Sequence, residues 1–104
     1  MSEEEKIKAA FKEALELYIR RNELYGSAWK EGRPAGVTDN LLWISKRIQI
    51  MERALWNLQD ELAGCVDVRE EIKYTEKKLT DDILDIIVFG AFRYIMHIEG
   101  RELL

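Results

Sequence analysis

Two aspartates three positions apart, Asp82 and Asp85, are the pair in this chain best placed to do chemistry. On a helix that spacing sets both carboxylates on one face about one turn apart, near enough to share a hard divalent cation such as magnesium. A plainer role exists for Asp82, because Asp81 and Asp82 behind a capping Thr80 would complement the dipole of a helix starting there. Asp85 is harder to place that way. Its neighbours are apolar, and a buried carboxylate must find a cation, a hydrogen-bond donor or a proton. Arg47 is the mirror case, set among Trp43, Ile44, Ile50, Met51 and Ala54. Two readings stay open for it: an ion pair with Asp85 between helices, or a fork facing a pocket and meeting a phosphate. Arg93, two turns beyond Asp85, could reach the same pocket, whereas His97 near a helix end suits the dipole. Tyr94 and Phe92 read as core.

Other chemistries lack their parts. His97 is the only histidine and Cys65 the only cysteine, so there is no Ser/His/Asp or Cys/His set, no intrachain disulfide and no cysteine zinc cluster. No GxxxxGK loop occurs. No catalytic residue is therefore assigned from residue types alone. The stretch NELYGSAWKEG adds two aromatics, Tyr25 and Trp29, either side of a glycine in a segment too polar for a core. They are corner packing or a surface on which a base can stack.

The elements that must position these groups are helical. Ile7, Ala10, Phe11, Ala14 and Tyr18 repeat at three and four over a first helix from about Ser2 to Leu24, with Ser2 as cap and Glu3 to Glu5 at its positive end. Gly26 ends it, and Gly32, Pro34 and Gly36 keep the next residues irregular. Thr38 caps a second helix, Asp39 to Leu62, whose apolar arc gathers Trp43, Ile44, Ile48, Ile50, Met51, Leu55 and Leu58 around Arg47. Val66 to Lys78 reads as a short helix near Val68 to Glu76 or a lid-like connection. A third long helix, capped by Thr80 and ending near Gly100, is apolar almost all round, as central helices are. The fold expected is all-α, a single domain over residues 1–104: three long helices, joined by a short one if Val66 to Lys78 is helical, with a four-helix core completed by oligomerisation.

Composition agrees and excludes several partners. Hydrophobic residues make up 47% and charged residues 35%, a globular rather than a disordered balance. The 16 basic and 20 acidic residues are interspersed, with no basic block to track a duplex, so duplex nucleic acid is not expected. The apolar run Ile83 to Ile98 is interrupted by Asp85, Arg93 and His97 and is shorter than the ~20 residues a bilayer needs, so no membrane span is expected. The acidic start MSEEEKIKAA carries no signal-peptide pattern, and a cytoplasmic location is expected.

Three segments carry a likeness to a family. Asn22-Glu-Leu-Tyr25-Gly26-Ser27-Ala-Trp29, Ile44-Ser-Lys-Arg47-Ile48 and Leu79-Thr-Asp-Asp82-Ile-Leu84-Asp85-Ile together resemble the MazG-like all-α NTP pyrophosphohydrolases, above all their nucleotide-modification-associated branch. The resemblance runs over most of the chain. It implies a homodimer or homotetramer that binds a dNTP or modified nucleotide, with Mg2+ held by Asp82 and Asp85, phosphate met by Arg47, and the base stacked by Tyr25 or Trp29. Catalytic members cleave between the α and β phosphates and release pyrophosphate, a metal-assisted hydrolysis. The chain departs from them at two places: Arg47 is followed by Ile48, Gln49, Ile50 and Met51 instead of an acidic cluster, and Val88-Phe89 stands where Asn-Tyr is expected. The alternative is a noncatalytic helical interaction or scaffold protein whose arginine and carboxylates are structural.

Overall fold

The computed structural model describes residues 1–25, 28–61 and 66–103. It is all-α, with three long helices and, among the described residues, no strand. Helix α1 spans Glu3–Tyr25, α2 spans Pro34–Glu61 and α3 spans Val66–Ile98, with short 3-10 turns at Ala28–Glu31 and Arg101–Leu103.

Helix α1 starts as expected. The Ser2 hydroxyl accepts from the Glu5 amide at 3.2 Å, and three glutamates fill the first turn. Helix α2 begins earlier than Thr38. Proline at the first helical position gives up only an amide that would be orphaned anyway, and its fixed φ suits the helix, so Pro34 opens α2 and Gly36 lies inside its first turn. Thr38 caps nothing; its hydroxyl donates back to the Pro34 carbonyl at 3.2 Å. Leu62, the expected end of the helix, lies outside the described residues.

The larger correction concerns α3. The charged stretch expected as a short helix or lid is the first part of one 33-residue helix, roughly 50 Å long at 1.5 Å per residue, matching the molecule's 54 Å longest extent. Thr80 is interior, its hydroxyl donating to the Glu76 carbonyl at 2.9 Å, so Asp81 and Asp82 sit four turns from the helix start and the dipole explains neither. Glu, Lys and Arg are good helix formers, and the i, i+4 geometry absorbs the two threonines through their backbone bonds.

Helix α3 is the hub, with α1 and α2 both packed along it and little contact between them. Arg21 opposite Asp85 and Tyr18 opposite Phe92 make α1 antiparallel to α3. Arg47 opposite Asp82 and Thr38 opposite Arg93 do the same for α2. The buried centre is Val37, Phe92 and Met96, edged by Tyr18, Trp29, Val88 and Phe89, with Ala14, Leu17 and Ile44 buried along the two seams. Several residues expected inside lie outside: Trp43 and Ile50 of the α2 arc and Tyr94 of α3 are exposed.

Beyond α3 the chain turns back on itself. Gly100 takes φ +72°, the left-handed conformation that ends a helix and favours glycine. Arg101 then donates to the carbonyls of Lys30 and Gly32 at 2.7 and 2.6 Å, tying the 28–32 turn to the C-terminal end of α3. That tie holds Trp29 against Phe92.

Candidate functional site

Four charged side chains from three helices meet near the middle of α3. Arg47 grips Asp82 with both arms of its fork, Nε donating to Oδ2 at 2.9 Å and Nη2 to Oδ1 at 2.5 Å. Arg21 of α1 donates through Nη1 to Oδ1 of Asp85. One helical turn separates the two carboxylates, so two opposite charges from different helices converge on one face of α3. The ion pair expected between Arg47 and Asp85 is therefore corrected. Arg47 takes Asp82, and Asp85 is satisfied by an arginine that the helix pattern on its own did not single out. Arg21 could have been noticed: it falls on the same side of α1 as the buried Ala14 and Leu17 and the half-buried Tyr18, at the i+3 and i+4 positions where a charge needs a partner.

The two kinds of group differ in exposure. The Asp82 and Asp85 side chains are 9% and 13% exposed, while Arg47 and Arg21 keep 44% and 40% of their side chains in solvent. The carboxylates are sunk in the seam and the guanidinium groups reach to them from its rim. Asp82 holds Arg47 even further above the ordinary arginine pKa, chiefly through the hydrogen bond. Burial pushes the Asp85 carboxyl up from its ordinary value near 3.8, and the Asp82 charge adds to this, while Arg21 and Arg47 pull the other way.

Among the described residues, no group of three or more His, Cys, Asp or Glu side chains could by itself hold a metal ion. Asp82 and Asp85 still suit the looser mode in which magnesium takes one or two carboxylates and completes its oxygens with water and substrate phosphate. Both are oxygen donors, adjacent and on one rigid helix. Their present partners are arginines with half-exposed heads, which are also the groups that would meet phosphate.

The remaining expected residues do not all converge here. The Trp29 ring lies parallel to Phe92, centroids 4.2 Å apart and planes at 8°, so one face is already covered. Its indole Nε1 is buried without a hydrogen-bond partner among the described residues. Phe92 is seven residues past Asp85, roughly 10 Å along the helix. Tyr25 ends α1, and its side chain lies outside the described residues. Arg93 does not approach the aspartates; it grips Glu102 with two donors at 2.5 and 2.8 Å and donates to Thr38 at 3.2 Å. His97 Nδ1 stands 3.1 Å from Glu102, completing a separate cluster at the C-terminal end of α3. Arg93, then His97, hold the Glu102 carboxyl below its usual range.

Among the described residues, no helix is long and apolar enough to cross a membrane. No family model matches the chain, and neither a curated protein nor a solved structure matches it.

Proposed function

We propose that this chain binds a nucleoside triphosphate or modified nucleotide at the Arg21, Arg47, Asp82 and Asp85 cluster, as its resemblance to the MazG-like proteins implies. The observation that carries this reading is the pairing of two rim arginines, 40% and 44% exposed, with two adjacent sunken carboxylates. A guanidinium fork matches phosphate as well as it matches carboxylate, so Arg47 and Arg21 can exchange one anion for the other with little loss of hydrogen bonding. Their partial exposure keeps that exchange open to solvent. Asp82 and Asp85 are the residues that would hold magnesium, which when bound would neutralise phosphate oxygens. Trp29 is kept out of the proposed site, because it stacks on Phe92, roughly 10 Å along α3 from Asp85. Binding, rather than hydrolysis, is the activity proposed: the second-helix acidic cluster of catalytic members is absent.

The test is a thermal-shift titration with magnesium and a panel of standard and base-modified dNTPs, alongside a pyrophosphate-release assay. A ligand at a hundred times its Kd stabilises the native state by about 2.7 kcal/mol. Arg47→Ala is expected to weaken binding by about tenfold or more, the equivalent of ~1.4 kcal/mol. No shift with any nucleotide would sink the proposal.

The second reading, a noncatalytic interaction protein, is favoured by one observation: each aspartate already has an arginine partner. It prevails if no nucleotide shifts the melting temperature and the apolar replacement of Arg47 and Asp82 together keeps parental stability.

A further inference from the structure

The molecule exposes far more surface than its mass requires. Its accessible area is 8208 Å², against about 6,100 Å² for a compact monomer of 12.2 kDa. Its radius of gyration is 16.7 Å, against about 13 Å for a compact chain of this length. The excess, about 2,100 Å², is more than the ~800 Å² each partner gives to a stable dimer.

Part of that excess is organised. Among the described residues helix α1 packs mainly on α3, and beside the packed seam it carries Ile7, Phe11, Leu15 and Ile19 at strict i+4 spacing, each 48–60% exposed. These four residues form one stripe about 18 Å long. The stripe runs into a groove of ≈290 Å³ between α1 and α3, lined by Phe11, Leu15, Tyr18, Trp29, Phe92 and Ile95 among others. The groove offers a ligand almost no polar partner. The exposed apolar residues of α2, by contrast, are interrupted: Trp56 sits in a hollow with Gln49, Glu52 and Arg53.

We infer that the α1 stripe and the α1–α3 groove are covered by a second copy of this chain, through antiparallel pairing of the two α1 helices about a two-fold axis. The i+4 repeat is self-complementary in that arrangement, setting Phe11 beside Leu15 of the other copy and Ile7 beside Ile19. The rim agrees, because Lys12 and Glu16 flank the stripe one turn apart and the antiparallel register brings each toward its opposite charge on the other copy. An anionic membrane surface suits the helix poorly, since its first turn is Glu3, Glu4 and Glu5. The pairing also braces α1 and with it Arg21 on Asp85. It does not depend on the nucleotide reading.

Light scattering coupled to size exclusion, over a wide dilution series, should give twice the chain mass. Phe11→Glu with Leu15→Glu should halve that mass while circular dichroism stays helical, and Trp56→Glu on α2 should leave the dimer intact. As a measurement that does not rely on disrupting the interface, Phe11→Cys with Leu15→Cys in a Cys65→Ser background should oxidise to a covalent dimer. A parent that is monomeric throughout, a charge variant that stays dimeric, a dimer lost through Trp56→Glu, or no covalent dimer would each overturn the inference.

Discussion

Asp82 depends on Arg47 for both of its oxygens. Removing the fork strands a carboxylate that is almost wholly out of water. Arg47→Met is expected to cost about 1–3 kcal/mol, below the full cost of breaking a buried pair because the fork is 44% exposed. Adding Asp82→Leu should recover most of that loss, whereas adding Asp85→Leu should not, and urea denaturation of the three variants reads the difference. If the Asp85 combination is the one that recovers, the pairing is wrong. Asp85 makes a prediction of its own. Burial, with help from Asp82, raises its native pKa above the unfolded value, so the native state holds that proton more tightly. Its contribution to stability is therefore fullest below the ordinary value near 3.8 and falls as pH climbs through the raised native pKa. Asp85→Asn should flatten the stability profile across that window relative to the parent. An unchanged slope would show that Asp85 titrates normally. That Asp85 and Arg47 need partners was legible from charges placed among apolar neighbours, whereas Asp82 read as a dipole-complementing acid; which charge meets which was not legible, because a one-turn slide of α2 along α3 exchanges the partners without altering either helix's pattern.

At the scale of elements, the three helices were legible because their apolar spacing and the Ser2 cap are local features. Their boundaries were misplaced where punctuation was ambiguous. Pro34 and Thr80 each have two local meanings: proline breaks a helix or begins one, and threonine caps a helix or bonds back inside it. Neighbouring packing chooses between them. The continuity of α3 makes Gly90 an interior helical glycine, and a Cβ built there meets nothing within 4 Å. Gly90→Ala should therefore stabilise the fold by about 0.5–1 kcal/mol, through helix propensity and a less flexible unfolded chain. Thermal denaturation checks it. A destabilised variant would show that something approaches that face of α3 in solution.

At the scale of the whole molecule, the described residues bury a small centre, and α1 rests mainly on α3. A single copy with Val37, Phe92 and Met96 as its buried cluster is thinly stabilised, since small domains already bury a modest share of their surface. If a second copy covers α1, folding and association are linked, and the melting temperature should rise with protein concentration in the parent but not in Phe11→Glu with Leu15→Glu. A concentration-independent parent would place all of the stability in one copy. The same link reaches the charged cluster, because Arg21 rides on the helix that the second copy would brace.

Legible from the residues in order were the helical class, the number of long helices, the capped start of α1 and two charges, Asp85 and Arg47, in apolar surroundings that had to be neutralised. Those follow from periodicity, capping chemistry and the cost of burying a charge, all of which act over a few residues. The folded arrangement was needed to pair Asp82 with Arg47 and Asp85 with Arg21, to stack Trp29 on Phe92, and to close Arg93 on Glu102 instead of the aspartates. Each of these pairings joins side chains from separate elements, or from a helix and the turn beyond it, and so depends on how far one helix slides and rotates along another. That register is set by the summed packing of the whole seam, a quantity no local stretch of residues contains.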